Sequence, residues 1–330
     1  MATTRYGDIG TRTAAYAATE MLAHAAPFLV LSKMGATKPM PKNKTDTMKF
    51  RRIIPLPPAT VPVVEGVTPT AQRMAYEDVT VVLKQYGRPI EITDKVTDLS
   101  EDPVLADASQ QAGEQAGRTI EQIVYGVLKA GTNVVYANGA TRGAVNTPIS
   151  LNKQRAVTRV LAAQKARKIT RILSAGVGYG TSAVEAAYVA IGHTDLESDI
   201  RNMAGFIPVA KYGNRQTIDE NEIGTVESVR YLLSPDLAPF ADAGGAAGGT
   251  AVSTTGAQAD VYPILFMGMD AFAQVPLKGA DAIVPMVVNA KPSASDPMAQ
   301  RNYVSWKTWF ACVILNDLWM CRLEVAVSKL

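Results

Sequence analysis

The stretch from Asp102 to Gly131 reads DPVLADASQQAGEQAGRTIEQIVYGVLKAG, and its two ends carry opposite helix signals. Asp102 can accept from unpaired donors of a first turn, and Pro103 supplies a preset φ where a missing N–H costs nothing. Lys129 suits the negative end of the helix dipole, and Gly131 closes the far end. Between them Leu105, Ala108, Ala112, Ala116, Ile120, Ile123 and Val127 recur every three or four residues as a narrow apolar stripe. At 1.5 Å per residue this predicts a helix of roughly 40 Å. Small residues crowd its first half, so another backbone can approach closely there. It reads as a strut, with nothing that points to catalysis.

On its N-terminal side lie two runs rich in β-branched residues, TMKFRRIIPLPPATVPVV (47–64) and EDVTVVLKQYGRPIEITDK (77–95). The segment between them contains Gly66 and Pro69, so together they read as one long hairpin. At about 3.3 Å per residue the first run alone would span roughly 60 Å, far beyond an ordinary strand. Pro55, Pro57, Pro58 and Pro62 exclude it from the middle of a sheet. A two-stranded ribbon is marginal by itself, so this one is expected to lie across another subunit. Further out, the Ala-rich residues 11–33 predict a helix ended or bent at Pro27, and the lysine-rich residues 35–49 an extended arm that needs an external surface to order it.

On the C-terminal side a Gly/Asn-containing loop leads to a basic helix predicted over 151–172, with Arg155 and Arg159 one turn apart. Alternating strand and short-helix patterns follow through Leu237, a mixed α/β arrangement. ADAGGAAGGTAVSTTG (241–256) reads as a flexible surface loop. Residues 303–326 read as two strands turning at Asn316-Asp317, with Trp306, Trp309 and Trp319 in a buried sheet.

Composition narrows the function classes. The chain has 330 residues and is 47% hydrophobic, but only 19% charged. Soluble domains usually carry about 25% charge, so much surface is expected to be covered by other subunits. The net charge of +3 excludes a polybasic chain, yet local balance varies. Residues 1–60 sum to +6, 61–131 to −5 and 153–171 to +7. Cys312 and Cys321 fit neither a zinc nor a redox spacing and read as core thiols in a reducing compartment. The stretch 21–31, broken by His24 and Pro27, is too short to span a membrane, so the protein is read as soluble and unexported.

The candidate chemistry is thin. Gly176-Val-Gly178-Tyr-Gly180-Thr-Ser182 has closely spaced glycines, but no Lys precedes the Thr/Ser and the third glycine is out of register for a dinucleotide loop. A tight turn is the ordinary reading. His193 with Asp195 has no nucleophile elbow beside it, and His24 sits in the Ala-rich segment. Glu101 with Asp102, and Asp219 with Glu220 and Glu222, lack the spacing of a calcium loop and read as caps and solvated faces. No catalytic residue, metal site or cofactor is expected.

Five segments resemble one family. They are KFRRIIPLPPATVPVVEGVTP (49–69), QYGRPIEITDKVTDLSEDPVL (85–105), GEQAGRTIEQIVYGVLKAGTNVVYA (113–137), NEIGTVESVRYLLSP (221–235) and VSWKTWFACVILNDLWMCRLEVAVS (304–328). In this order they resemble the major capsid proteins of short-tailed phages of the podophage N-four type, over nearly the whole chain. The resemblance implies an α+β Hong Kong 97-type (Johnson) fold. Residues 1–45 would be its N-arm, 46–99 the extended E-loop and 100–131 the spine helix of the peripheral domain. Residues 132–300 would be the axial domain, and 301–330 a hairpin returning to the peripheral sheet.

The implied function is assembly of hexamers and pentamers into an icosahedral virion shell around double-stranded DNA, built in the host bacterial cytoplasm with no membrane involved. Ribbon residues Arg51, Arg52, Glu65, Arg73 and Lys84 would meet a neighbour's spine helix, with Glu114 and Glu121 as its acids. Because the chain begins almost directly with the arm, a separate scaffolding protein is expected, with a portal and cement proteins as further partners. The alternatives are an encapsulin-like nanocompartment shell and, more remotely, an oligomeric enzyme binding a nucleotide at 176–182.

Overall fold

The computed structural model describes residues 29–99, 104–170, 185–212, 217–277, 284–288, 292 and 297–330. The Ala-rich N-terminal segment with His24, the Glu101 to Pro103 cap and the glycine triplet at 176–182 lie outside them.

The expected strut is a helix over Val104–Lys129. Asp94–Leu99 forms a short helix before it, and we number these α2 and α1. Two adjacent rows of α2 are buried. One is Ala108, Ala112, Ala116, Ile120, Val124 and Leu128; the other is Ser109, Gly113, Gly117, Glu121 and Tyr125. The first packs with Val304, Trp306, Phe310 and Cys312. Small side chains on the helix thus meet large ones on the strand, and the Trp306 Nε1–H donates to Gln115 Oε1 at 3.1 Å.

The strands in chain order are β1 Ala36–Thr37, β2 Thr47–Ile53, β3 Tyr76–Val82, β4 Lys84–Thr93, β5 Val134–Tyr136, β6 Tyr188–Gly192 and β7 Phe206–Pro208. They continue as β8 Glu222–Val226, β9 Val229–Leu233, β10 Tyr262–Met267, β11 Phe272–Pro276, β12 Val284–Val288, β13 Arg301–Ile314 and β14 Met320–Val325. One sheet is built on β13, which pairs with β4, β11 and β12, while β1 adds beside β11. The other runs β5-β14-β10-β6-β9-β8-β7. Its strands β10 and β6 carry no charged residue and are buried at every position because both faces are covered. Val189, Ile191, Leu265 and Met267 face the α2 core. Tyr188, Ala190, Ile264 and Phe266 face a second core, closed by Val157 and Leu161 of α3, Leu151–Ala163.

Several expectations are corrected. The run 77–95 is not one strand of one hairpin. β2 pairs with β3 from Thr47 opposite Val82 to Ile53 opposite Tyr76, and Leu83 then breaks the run. Leu83 is buried, its N–H donates to the Asp46 carbonyl at 2.8 Å, and β4 departs to pair with β13. The paired ribbon therefore spans roughly 23 Å at 3.3 Å per residue. The prolines from Pro55 onward end the ladder by removing its donors.

The C-terminal strands do not pair with each other either. β13 lies in one sheet and β14 in the other, between β5 and β10. Asn316 Oδ1 accepts from Leu318 N–H and caps a 3-10 turn over Asp317–Trp319, which redirects the chain instead of reversing it. Both sheets consequently cross the boundary expected at residue 300. The basic helix ends at Ala163, short of residue 172.

Residues 241–256 are knitted into the body and are not a flexible loop. Gly244 N–H donates to the Ala259 carbonyl at 2.9 Å and Val252 N–H to the Val327 carbonyl at 2.9 Å. Ala247, Ala251, Ala259 and Ala326 form a small buried cluster. A Cβ on Gly244 would run into the Val145 and Ala259 carbonyls, so smallness here serves close approach. The lysine-rich arm is ordered by its own chain as well: Lys38 N–H donates to the Gln274 carbonyl at 3.0 Å and Met40 N–H to Pro276 at 2.8 Å.

Ala112 is fully buried where α2 meets β13. Ala112→Leu is expected to destabilise the chain by about 1–3 kcal/mol through overpacking. A urea-unfolding midpoint indistinguishable from wild type would mean that α2 stands off the sheet.

Candidate intersubunit surfaces

The ribbon is held by charge at the far end of its ladder, next to the tip, and carries apolar residues at the tip itself. Arg51 lies opposite Asp78 and Arg52 opposite Glu77, and because successive strand residues face opposite sides, each face of the ribbon has one ion pair. Arg51 Nε donates to Asp78 Oδ1 at 2.8 Å and Nη2 to Oδ2 at 3.2 Å. Arg52 Nε donates to Glu77 Oε2 at 3.1 Å. The hydrogen bond from Arg51 holds the Asp78 carboxyl below the usual carboxylate range. Arg51 and Arg52, expected at a neighbour contact, pair with acids of their own ribbon and set its register while remaining exposed. Exposed pairs of this kind add little stability.

Beyond Ile54, whose N–H still reaches the Ala75 carbonyl at 3.0 Å, every residue to Ala75 is exposed. Val61 is 81% exposed, Val63 72%, Val64 65% and Val67 61%. Ile54, Leu56 and Met74 add to this surface. A contiguous apolar stretch of this size marks a contact surface. Glu65 and Arg73 are exposed on the same tip, and Lys84 is exposed where β4 begins.

On α2, Glu121 is fully buried. Its carboxylate accepts from the N–H groups of Leu31 at 2.6 Å, Val30 at 3.2 Å and Ser32 at 3.4 Å, fastening the 3-10 turn Leu31–Lys33 onto α2. Burial pushes the carboxyl up to about 7, against these three donors, with nearby Asp236 adding to the rise. Glu121 therefore cannot serve a neighbour's ribbon, contrary to expectation. The row Ser109, Gly113, Gly117, Glu121 was the available signal, since small residues every four positions mark a second buried face. Glu114 is half-buried, near Gln110 Nε2 at 3.4 Å. The turn is also tied by the Lys33–Asp219 ion pair.

Asp219 and Glu222 are buried, not solvated: Glu222 Oε1 accepts from the Tyr212 hydroxyl at 2.7 Å and Oε2 from Ile218 N–H at 2.7 Å. Among the described residues no group of acids, histidines and cysteines is arranged to hold a metal. His193 Nδ1 accepts from the Asp195 backbone at 3.2 Å and caps a turn. Burial pushes the Cys312 and Cys321 thiols up to about 12. No helix among the described residues is long and apolar enough to cross a membrane.

The fold is similar to the capsid of Ralstonia phage GP4, with a TM-score of 0.65 at 13% identity over 90% of this chain and 88% of that chain. Against the cyanophage Pam1 capsid asymmetric unit the TM-score is 0.65 at 13% identity, covering 100% and 95%. The holo-SrpI encapsulin complex from Synechococcus elongatus PCC 7942 scores 0.53 at 9% identity, covering 91% and 88%. No curated protein matches the chain. These likenesses define a Hong Kong 97-type shell fold. Residues 76–317 match the phage capsid protein family, and the chain belongs to that family. It is a phage major capsid protein, a structural component of the virion and not an enzyme.

Because burial outweighs the turn's three donors, which favour the ionised form, protonation of Glu121 contributes stability to the folded chain. That contribution is complete below the ordinary value of 4.5 and is lost as pH rises through about 7. Wild-type stability should therefore fall relative to Glu121→Gln between about pH 5 and about pH 8 in urea titrations. Parallel profiles for the two proteins would show that Glu121 does not titrate in this range.

Proposed function

We propose that the chain assembles as hexamers and pentamers into the icosahedral shell enclosing the double-stranded DNA of a tailed phage of the podophage N-four type. The observation that carries this is the exposed apolar ribbon tip. In this reading the segment through residue 45 is the N-arm, and the ribbon of β2, β3 and the tip between them is the E-loop. The β13 sheet with α2 forms the peripheral domain, and the seven-stranded sheet forms the axial domain. Each tip lies over a neighbouring subunit and buries its valines there. Glu65, Arg73, Lys84 and Glu114 are the charges left to pair across that contact, setting register more than strength.

A separate scaffolding protein, a portal and cement proteins complete the assembly in the host cytoplasm. The encapsulin-like alternative shares the fold, but membership of the phage capsid protein family favours the virion.

Replacing Val61, Val63, Val64 and Val67 with Ser should leave the melting temperature of the subunit unchanged, because none of them is buried in the single chain. The same protein should form no closed shells with or without scaffold, by sedimentation velocity and negative-stain microscopy. Normal shells from it would remove the ribbon from the assembly mechanism. A wild-type chain that never forms curved lattices would sink the shell reading itself.

A further inference from the structure

We infer that the C-terminal end of α3 and the turn after it form a binding site for the phosphate backbone of double-stranded DNA. The inference rests on the shell reading, since such a shell encloses a genome. Between Lys153 and Lys168 there are six cations and no acid in sequence. Arg155 is engaged by Glu227, with Arg155 Nε to Glu227 Oε1 at 3.0 Å. Arg159, Lys165, Arg167 and Lys168 are exposed, and among the described residues no carboxylate lies within ion-pair distance of them.

The backbone that carries these cations is built rigidly. Lys165 N–H donates to the Ala162 carbonyl at 3.0 Å and Ala166 N–H to Leu161 at 3.0 Å, the paired bonds that close a helix through a left-handed residue. That residue is Lys165, at φ 55°, where glycine would be the relaxed choice. Lysine at this position retains a charge against local conformational preference. Four further bonds fasten the turn to both cores. Trp319 Nε1–H donates to the Gln164 carbonyl at 3.1 Å and the Tyr188 hydroxyl to Ala166 at 3.2 Å. Met269 N–H donates to Arg167 at 2.8 Å, and Ile169 N–H to Ala187 at 3.0 Å.

Charge complementarity picks a polyanion as the occupant, and side-chain chemistry picks nucleic acid over protein. A protein contact needs apolar or aromatic anchors at its centre. No large apolar side chain from α3 through Lys168 is exposed; Met269, which borders the turn, is half-exposed. The ribbon tip has the opposite makeup. Phosphate contacts need only cations held in place, and they carry no sequence preference.

The test uses the full-length unassembled subunit with a short mixed-sequence DNA duplex, measuring affinity by fluorescence anisotropy across a salt series. Arg159→Ala with Lys168→Ala should lower the slope of log affinity against log salt by about 2 and weaken binding at low salt by about tenfold or more. Lys165→Gly keeps the turn geometry, so it should weaken binding by a single contact while melting no lower than wild type. Any of three results would overturn the inference: a wild-type subunit that ignores the duplex at low salt, variants that bind as wild type does, or polyglutamate displacing the duplex more effectively than unlabelled DNA at equal charge. Shell formation by the variants, followed in the same preparations by sedimentation, separates this outcome from failure of the shell reading. Variants that bind DNA normally but cannot assemble would reassign the patch to a subunit contact and also overturn it.

Discussion

Trp306 and Phe310 on β13 lie against the alanine row of α2, and the rest of the body depends on that fit. Only a helix face of such small residues lets the helix come close enough for the Trp306 indole N–H to find Gln115. β13 in turn carries β4, β11 and β12 on its edges. Through the capped turn at Asn316 it delivers β14 to the other sheet, where Arg322 reaches back to the end of α2. Its Nη1 donates to the carbonyls of Gly131 at 3.1 Å and Lys129, and its Nε to Glu324 Oε1 at 2.8 Å. A cation at the negative end of the helix dipole thereby couples the second sheet to the helix that the first sheet positions. Helix and two sheets become one frame from which the ribbon projects at Leu83.

The frame treats polar groups according to where they sit. Buried carboxylates are each satisfied: Glu121 by three backbone donors, Glu222 by a hydroxyl and a backbone N–H, Glu324 by two arginines. They tie segments far apart in sequence, the arm to α2 and the C-terminal strand to the Arg142 turn. Surface charge is used differently. Arg51 and Arg52 hold ribbon register, and the cations after α3 face solvent.

The strut was legible because its stripe, its caps and its length all agree on a helix, with Lys129 and Gly131 at the expected end. The family resemblance supplied the shell, which no local motif could. What failed to show were pairings between distant segments. Residues 77–95 look like one strand because Leu83 is as apolar as its neighbours, and only the competing partner β13 divides the run. Asn316-Asp317 looks like a hairpin turn, yet Asn316 caps a 3-10 turn and Asp317 accepts from Thr132 N–H at 3.0 Å, so both side chains serve a change of sheet. Glu121 reads as a surface acid when only the row from Ala108 to Leu128 counts as the buried stripe, because the parallel row from Ser109 to Tyr125 carries small and polar residues. The glycines and alanines of 241–256 have the composition of a flexible segment, but the same smallness permits tight packing. Of the candidate contact residues, Glu65, Arg73 and Lys84 are exposed, Arg51 and Arg52 are exposed but paired within the ribbon, and Glu121 is buried.

The chain is poor in charge, and the described structure shows where the deficit falls. Among the described residues most of the exposed large apolar ones lie between Ile53 and Val82. Placing Val61, Val63, Val64 and Val67 on a tip without its own ladder has an energetic consequence. Ordering backbone costs about 1–2 kcal/mol per residue, so docking the tip onto one neighbour returns much less than its apolar area implies. A single contact in the proposed shell is therefore weak and reversible. Once a ring closes, each further contact forms within an assembly that already holds its partner nearby, and the same weak contact becomes effectively permanent. Misplaced subunits can leave before closure, and correctly placed ones are retained after it.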